Sequence, residues 1–287
     1  MNMHDFTHGA VVHNRTYANP VELTQDAMRR MAPSIFAEHA QEDVSGRYLF
    51  LPTFEILEKL MQETALVPVR VREQNVRTEN RVFARHEITL RMREEARDWK
   101  VGDTVFECRL TNSHNRASAY ALDPGLFRFA CSNGLLLPDS VLPGVRIRHT
   151  GDADMVGRII EGTCELVRES PALQQNIEQM RALTLTQPEQ QAFAHAAALL
   201  RWDEDKIPVK PETLLNARRP DDRGDDQWRV LNRVQENVIK GGQRGFKCED
   251  AKVRRVRSRS VESITENQRI NKALWTLAAE MQKLKAA

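Results

Sequence analysis

The sequence predicts an α+β protein: an antiparallel sheet meander packed with helices, followed by a C-terminal helical region. Residues from about 67 to 149 show the alternation of apolar and polar side chains that is typical of strands with one buried face. Before and after this stretch, apolar residues recur at intervals of three and four, the spacing of amphipathic helices. The strands are therefore expected in the middle of the chain, with helices before and after them.

Two helices are expected ahead of the sheet. Asn19 in front of Pro20 has the pattern of a helix start, and Pro33 should end or kink this first helix. A second helix should begin near Thr53, because the apolar residues that follow fall on one helical face. These residues are Phe54, Leu57, Leu60 and Met61.

The alternation of apolar and polar residues is clearest over 82–92, which predicts a half-buried strand. One face should carry Val82, Ala84, His86, Ile88, Leu90 and Met92, and the other Arg85, Glu87, Thr89 and Arg91. Further strands are expected over 104–111, 117–122, 125–131 and 145–149, with turns at His114-Asn115 and Asp123-Pro124-Gly125. Asn133-Gly134 between apolar runs predicts a tight hairpin, because both residues tolerate positive φ.

Helices return after Thr150. Asp152 is a candidate cap, and Thr186-Gln187-Pro188-Glu189 predicts a capping box. Prolines and charged residues mark an exposed connector over 206–227, which divides an α+β domain (1–205) from a C-terminal region (228–287). That region should contain a helix over 228–239, a basic loop over 240–259, and a last helix opened by Ser263.

Composition and charge exclude several classes of protein. The net charge is +2, from 42 Lys and Arg against 40 Asp and Glu, so binding to nucleic acid must come from local patches. No run approaches the roughly 20 apolar residues of a membrane span, and the first residues lack signal-peptide character, so a cytosolic protein is expected. The four cysteines form no Cys-x-x-Cys pair, which argues against a zinc ribbon or a disulfide framework.

The basic loop is the first candidate site. Between residues 240 and 259 eight basic side chains face two acidic ones, which gives a local charge of +6. Gly241, Gly242 and Gly245 should let backbone amides approach an anion, and arginines fork onto phosphate oxygens. The alternative is a solvated surface loop. The basic residues are Lys240, Arg244, Lys247, Lys252, Arg254, Arg255, Arg257 and Arg259.

The polar face of the sheet is the second candidate. If the strands are neighbours, their arginines form a positive surface, and Phe127-Arg128-Phe129 sets an arginine between aromatic rings that could stack on bases. Alternatively, the phenylalanines belong to the core and the arginines keep an exposed sheet face in water. The sheet arginines are Arg70, Arg72, Arg85, Arg91 and Arg93.

Catalytic and metal-binding interpretations stay open as alternatives. Cys131 could act as a nucleophile with His114 or His149 as its base, and His86, His114 and His149 could ligate a divalent metal. Buried structural roles explain the same residues, since a small thiol after an apolar strand and widely spaced histidines are ordinary core features. No Gly-x-x-x-x-Gly-Lys-Ser/Thr loop is present, and no cofactor is expected.

Seven motifs spread along the chain form a recognisable set. They are His86-Glu87-Ile88-Thr89-Leu90-Arg91, Asn112-Ser113-His114, the run 125–134 ending in Cys131-Ser132-Asn133-Gly134, Arg148-His149-Thr150-Gly151, Asp222-Arg223-Gly224, Asn232-Arg233-Val234-Gln235-Glu236-Asn237 and Asn271-Lys272-Ala273-Leu274-Trp275. This set resembles the motifs of the domain-of-unknown-function family numbered 932, in its UPF0380-like subgroup from plasmids and prophages. In members of that family Asn112-Ser113-His114 is often followed by Asp-Gly or a similar turn, where this chain has Asn115-Arg116. The resemblance implies residence on a mobile element and assigns no mechanism.

These features together predict a DNA-binding accessory protein of a mobile element. Its DNA partner is expected to be single-stranded, bound or annealed during transfer, replication or recombination. The alternatives are a protein-interaction module that binds a host protein, such as an inhibitor of a defence enzyme, and a metal- or cysteine-dependent enzyme. The last helix carries an apolar seam that either docks on the helix over 228–239 or forms a homo-oligomer. The seam consists of Ile270, Leu274, Leu277, Met281 and Leu284.

Overall fold

The computed structural model describes residues 15–18, 22–76, 78–93, 104–128, 134–139, 141–149, 154–249 and 252–286. The chain divides into two compact units, the first from 1–100, 105–125 and 143–168 and the second from 101–104, 126–142 and 169–287. The expected domain bounds at 205 and 227 stay a prediction, because compactness does not test which segments fold on their own.

An antiparallel meander forms the large sheet. Its strands are β1 Arg15–Ala18, β2 Leu66–Glu73, β3 His86–Met92, β4 Thr104–Asn112, β5 Tyr120–Arg128, β6 Gly134–Leu136 and β7 Val145–Ile147. They lie in the order β1-β2-β3-β4-β5-β6, with β7 also paired to β5. With the helices before and after it, this sheet confirms the α+β class predicted from the sequence.

Two strand predictions were wrong in detail. Residues 78–83 form a 3-10 helix, so β3 begins only at His86. The expected turn at Asp123-Pro124-Gly125 lies inside the single strand β5. The pairing with β7 covers residues 120–122 of this strand, ahead of Pro124, so the missing N–H of Pro124 breaks no bond to β7. The predicted hairpin residue Asn133 lies outside the described residues.

The sheet is buried on both faces, whereas the sequence predicted one exposed face. The pairs Ile88–Leu110 and Leu90–Cys108 form an apolar face, and Thr89–Arg109 and Arg91–Glu107 alternate with them on the other. All eight residues are buried. Charged side chains can occupy such a position because they pair with one another across the strands.

The helices agree broadly with the sequence pattern. Helix α1 starts at Gln25 rather than after Asn19, since the Thr24 hydroxyl accepts the N–H of Ala27 and so caps it. Pro33 ends α1 and opens a 3-10 turn, as predicted. The α-helices are α1 Gln25–Met31, α2 Thr53–Glu63, α3 Met155–Glu169, α4 Pro171–Ala182, α5 Gln187–Leu199, α6 Gln227–Lys240 and α7 Ile264–Ala286.

Two further predictions concern helix starts and the connector. The capping box at α5 is confirmed, because the N–H of Thr186 donates to Glu189 at 2.6 Å and the Thr186 hydroxyl accepts in return. Asp152 lies outside the described residues. The connector contains two short 3-10 helices, Pro211–Leu215 and Pro220–Asp222, and a third, Glu204–Lys206, ends at its first residue. None of the described helices is long and apolar enough to cross a membrane.

Helix α7 packs on α6 of the same chain. The Trp228 and Trp275 rings meet edge to face with centroids 6.3 Å apart, and the Gln227 side chain donates to the Ala278 carbonyl at 2.6 Å. Ile270 and Leu274 are fully buried, but burial of the seam residues decreases toward the C-terminus, where Leu284 is 78% exposed. The intramolecular alternative thus covers the first half of the seam; oligomerisation stays a prediction.

Replacing Trp275 with alanine should destabilise the second unit by about 3–5 kcal/mol, because removal of the buried indole leaves a cavity beside the Trp228 ring. Leu284→Ala on the same helix is the matched control and should change the free energy of unfolding by less than about 0.5 kcal/mol. Urea denaturation of both variants measures the difference. Equal effects would show that α7 is not held by this face.

Candidate functional site

The basic segment over 240–259 is a β-hairpin, not the loop that the sequence predicted. Strands β8 (Arg244–Glu249) and β9 (Lys252–Arg257) pair antiparallel in a separate two-stranded sheet, the β-ribbon. Arg244 lies opposite Arg257, and Phe246 opposite Arg255. A signal was present, since Phe246, Cys248 and Val253 alternate with charged residues around Glu249-Asp250.

Backbone hydrogen bonds fix the base of the β-ribbon. The N–H of Gly242 donates to Ser258 O at 2.7 Å, and the N–H of Ser258 donates to Gln243 O at 2.9 Å. On the outer side of β8, the N–H of Phe246 donates to Pro208 O at 2.8 Å. The Arg201 guanidinium bonds the Arg259 carbonyl. Bonds on both sides of its base therefore hold the ribbon to the second unit.

The three glycines serve this packing and not anion binding, which corrects the sequence-based interpretation. The N–H of Gly241 donates to Asn237 O at 3.1 Å, and that of Gly242 is used by Ser258. Gly241 and Gly242 have φ of 63° and 88°, which other residues rarely adopt. A Cβ on Gly245 would lie 1.8 Å from the Pro208 carbonyl oxygen. Glycine is required here so that two backbones can approach each other.

Most arginines of the ribbon project into solvent. Arg244, Arg254, Arg255 and Arg257 are exposed, as is Arg259 just beyond β9. Within the part of the chain that the structure describes, none of these five forms an ion pair. Lys240 differs, because its ammonium contacts Glu236 at 2.8 Å. The side chains of Lys247 and Lys252 lie outside the described residues.

Two of the sheet arginines, Arg72 and Arg91, are buried and so do not contribute to the expected positive surface, whereas Arg93 is exposed. Arg91 is 4% exposed and contacts Glu107 at 3.4 Å, and Arg109 contacts the same carboxylate at 3.3 Å. Burial lowers the pKa of Arg91 to about 10. Burial would raise the pKa of Glu107, but the neighbouring arginines bring it below its ordinary value. The expectation of exposure is thus wrong for Arg91, Arg85 is half-buried, and the side chain of Arg128 lies outside the described residues.

A second constellation, the histidine cluster, joins His86, His114 and His149 through Thr53 and Asn112. The Thr53 hydroxyl lies 2.9 Å from His86 Nε2 and 3.4 Å from His114 Nε2. Asn112 donates from Nδ2 to Thr53 at 2.9 Å, and its Oδ1 lies 2.9 Å from His149 Nε2. All five residues are buried, so three motifs far apart in the sequence meet in one polar network.

Hydrogen-bond directions follow from the fixed donors and acceptors. His86 Nδ1 faces the Ala84 carbonyl at 3.1 Å and must donate, so Nε2 accepts the Thr53 hydroxyl hydrogen. His149 directs Nδ1 at the Leu49 carbonyl, at 3.0 Å, and Nε2 at Asn112 Oδ1. Two acceptors can both be satisfied only by a doubly protonated ring. A neutral His149 therefore donates to one of them.

Burial favours the neutral form of all three histidines. It lowers the pKa of His86 to about 3 and that of His114 to about 4, with the neighbouring histidine adding to each shift. It also lowers the pKa of His149 against the opposing effect of the Leu49 carbonyl. Among the residues that the structure describes, no three His, Cys, Asp or Glu side chains are placed to hold a metal ion. The cluster is built as a hydrogen-bonded core.

Aromatic rings enclose this cluster. Tyr48 stacks on His149 with centroids 4.6 Å apart and an interplanar angle of 11°, and Phe50 lies 4.9 Å from the His114 ring. The Tyr48 hydroxyl donates to Ser113 O at 2.9 Å, and burial raises its pKa to about 12. The sequence predicted a helix start near Thr53, but it did not identify Thr53 or Tyr48 as members of the histidine cluster. No motif or spacing around these two residues points to the histidines.

The remaining motif residues are placed as follows. The Ser113 hydroxyl accepts the N–H of Ser118 at 2.8 Å, which closes the turn between β4 and β5. Arg148 is exposed beside the buried His149. Gly134 begins β6, whereas the candidate nucleophile and the two residues after it lie outside the described residues. These three are Cys131, Ser132 and Asn133.

Comparison with known proteins agrees with the motif pattern. Residues 40–275 match the model of a family described as "Domain of unknown function (DUF932)". Two Escherichia coli (strain K12) proteins, "UPF0380 protein YfjQ" and "UPF0380 protein YafZ", are each 37% identical over 257 residues, which cover 89% of this chain and 90% of theirs. No solved structure matches.

Acid should destabilise the first unit through the histidine cluster. The pKa values of His86 and His114 are lower in the folded protein than in the unfolded chain, so acid protonates the unfolded chain first. The free energy of unfolding is therefore unaffected by these histidines above about pH 6.5 and falls as the pH is lowered below it. By pH 5 the loss is roughly 2 kcal/mol for each of His86 and His114. Urea denaturation at pH values between 7.5 and 4.5 measures the loss. A pH-independent stability would contradict the burial of these rings.

Arg116→Gly should stabilise the protein by about 0.5–1 kcal/mol. Arg116 has φ of 65° in the β4–β5 turn, and no other non-glycine residue described has a positive φ. Glycine adopts this conformation without the Cβ penalty, consistent with the Asp-Gly turn that the family resemblance implies. Arg116→Ala keeps the penalty and serves as control. Thermal unfolding should rank glycine above both arginine and alanine.

Proposed function

We propose a function for this chain, which belongs to the DUF932 family, from the residues on its own surface. The description of that family assigns no function. The protein binds nucleic acid through the β-ribbon, as an accessory protein of a plasmid or prophage. The observation that carries this proposal is a ribbon, hydrogen-bonded at its base, whose four arginines are exposed and make no ion pair in the described part of the chain.

Electrostatics on the ribbon favour a polyanion. Arg244 and Arg257 lie directly opposite each other across the two strands. Like charges that face each other across two strands repel and destabilise the ribbon. An anion bound between Arg244 and Arg257 would attract both guanidinium groups and would also reduce their mutual repulsion. Nucleic acid supplies a row of phosphates, and arginine forks match phosphate oxygens.

Two carboxylates of helix α6 and its cap, Glu236 and Asp226, are engaged by cations outside the two ribbon strands. Glu236 accepts both guanidinium nitrogens of Arg219, at 2.9 and 3.0 Å, as well as the Lys240 ammonium. Asp226 caps α6 and pairs with Arg229 at 2.7 Å. The positive charge of the ribbon is therefore local, on a chain whose net charge is only +2.

A quadruple variant tests the proposal. Arg244, Arg254, Arg255 and Arg257 are changed to glutamine, which moves the net charge from +2 to −2 and leaves the buried core untouched. Binding of labelled single- and double-stranded DNA should weaken by about tenfold or more at 0.1 M salt. The slope of log K against log salt should flatten by about 0.7–0.9 for each phosphate that the variant no longer neutralises.

The control removes the same charge from elsewhere on the surface. Arg30, Arg47, Lys59 and Arg158 are exposed in the first unit, and their replacement by glutamine also gives −2. This variant should keep most of the wild-type affinity. An equal fall in affinity for both variants would mean that net charge alone matters, and no wild-type binding at about 50 mM salt would reject the function.

A further inference from the structure

One face of the β-ribbon combines apolar and basic side chains. Residues directly opposite in an antiparallel pair project to the same face, so Arg244, Arg257, Phe246, Arg255 and Val253 share one side. Phe246 is 58% exposed and Val253 69% exposed. The other face carries Gly245, which packs on the Pro208 carbonyl, and the half-buried Val256. The face with Phe246 is therefore the outward one.

The backbone bonds show how closely Phe246 and Arg255 approach. The N–H of Phe246 points away from β9, because it donates to Pro208 O. The 246–255 pair is consequently a non-hydrogen-bonded pair, the type in which facing side chains are nearer, with Cα atoms about 4.5 Å apart. Phe246 and Arg255 are thus facing residues of a closely spaced pair on an anchored backbone, and their side chains leave the same face of the ribbon.

A large aromatic side chain in water is costly unless a ligand covers it. A second copy of this face would set Arg244, Arg255 and Arg257 against like charges, so self-association through it is opposed. The occupant must offer apolar planes for Phe246 and negative charges for the three arginines. Unpaired nucleotides offer both, as a base with a phosphate on each side.

We infer that this face binds single-stranded nucleic acid, with a base stacked on Phe246 and the neighbouring phosphates held by Arg244, Arg255 and Arg257. The inference rests on the proposed function and narrows its ligand. A two-stranded ribbon also fits the major groove of duplex DNA. There, however, base faces are already stacked, and Phe246 and Val253 offer base edges no hydrogen bond. The protein should therefore prefer single strands.

Phe246→Trp makes the stacking visible. Indole fluorescence is quenched when a base stacks on the ring. Subtracting the wild-type spectrum from that of the variant removes the signal of the four native tryptophans. An oligothymidylate of about 20 nucleotides should quench the added fluorescence, whereas a blunt duplex should not. Quenching by phosphatidylglycerol vesicles without quenching by the oligonucleotide would overturn the inference in favour of a lipid surface.

Adjacent residues of β9 provide a matched pair. Arg254 and Arg255 are both exposed and carry the same charge, but they project to opposite faces. Arg255→Gln should weaken oligothymidylate binding several-fold more than Arg254→Gln. Phe246→Leu keeps an apolar side chain but removes the aromatic plane, and both Phe246→Leu and Phe246→Ala should weaken binding by roughly 5- to 100-fold.

The outcomes separate this inference from the proposed function. If single strands and duplexes bind equally, Phe246→Leu binds normally and the added tryptophan stays bright, the stacking inference fails while nucleic-acid binding stands. If neither DNA binds at low salt, both fail. Since Phe246 is exposed, its variants should keep the wild-type melting temperature, and a variant that melts earlier is replaced by the Arg254 and Arg255 comparison.

Discussion

The hydrogen bonds of helix α6 hold the second unit together. Residues 227–239 of this helix are all buried except Arg229, although many of them are polar. Each buried polar group must therefore find a partner inside the protein or destabilise it. Gln235 bonds Asn271 of α7 at 2.8 Å, and Asn237 bonds the carbonyls of Leu214 and Asn216 at 2.8 and 2.9 Å. The polar side chains of α6 thus fix both α7 and the 3-10 segment around it.

The same helix positions the β-ribbon. Its last turn ends at Gly241, where the carbonyls of Val238 and Gly241 are bonded by the guanidinium groups of Arg201 and Arg218. The chain then enters β8 with its direction already set, and Ser258 returns from β9 against Gln243. The sequence suggested that this basic segment is an open loop. The hydrogen bonds at its base instead hold it at a defined position. This is the arrangement that a stacking surface requires.

In the first unit, the buried Glu107 and the buried histidines have partners inside the protein. Glu107 is stable inside the sheet because two guanidinium groups contact it, and the histidines are stable because they are neutral and hydrogen-bonded. Neither arrangement is visible in composition. The alternation of polar and apolar residues in β3 looks like a solvated face, and only cross-strand register shows that Arg91 is opposite Glu107. In the described part of the chain, the three histidines form a hydrogen-bonded network with Thr53 and Asn112.

The sequence by itself determined what depends on near neighbours: the α+β class, the meander, the helix stop at Pro33, the capping box at Thr186 and the net charge of the basic segment. Hydrophobic period, proline geometry and cap chemistry act within a few residues, so they can be recognised along the chain. Tertiary structure alone decided that Thr53 joins His86 to Asn112, and that Gly245 lies against Pro208. It also set Arg255, and not Arg254, beside Phe246. Such contacts depend on register and on which backbones approach each other, and neither is encoded in local spacing.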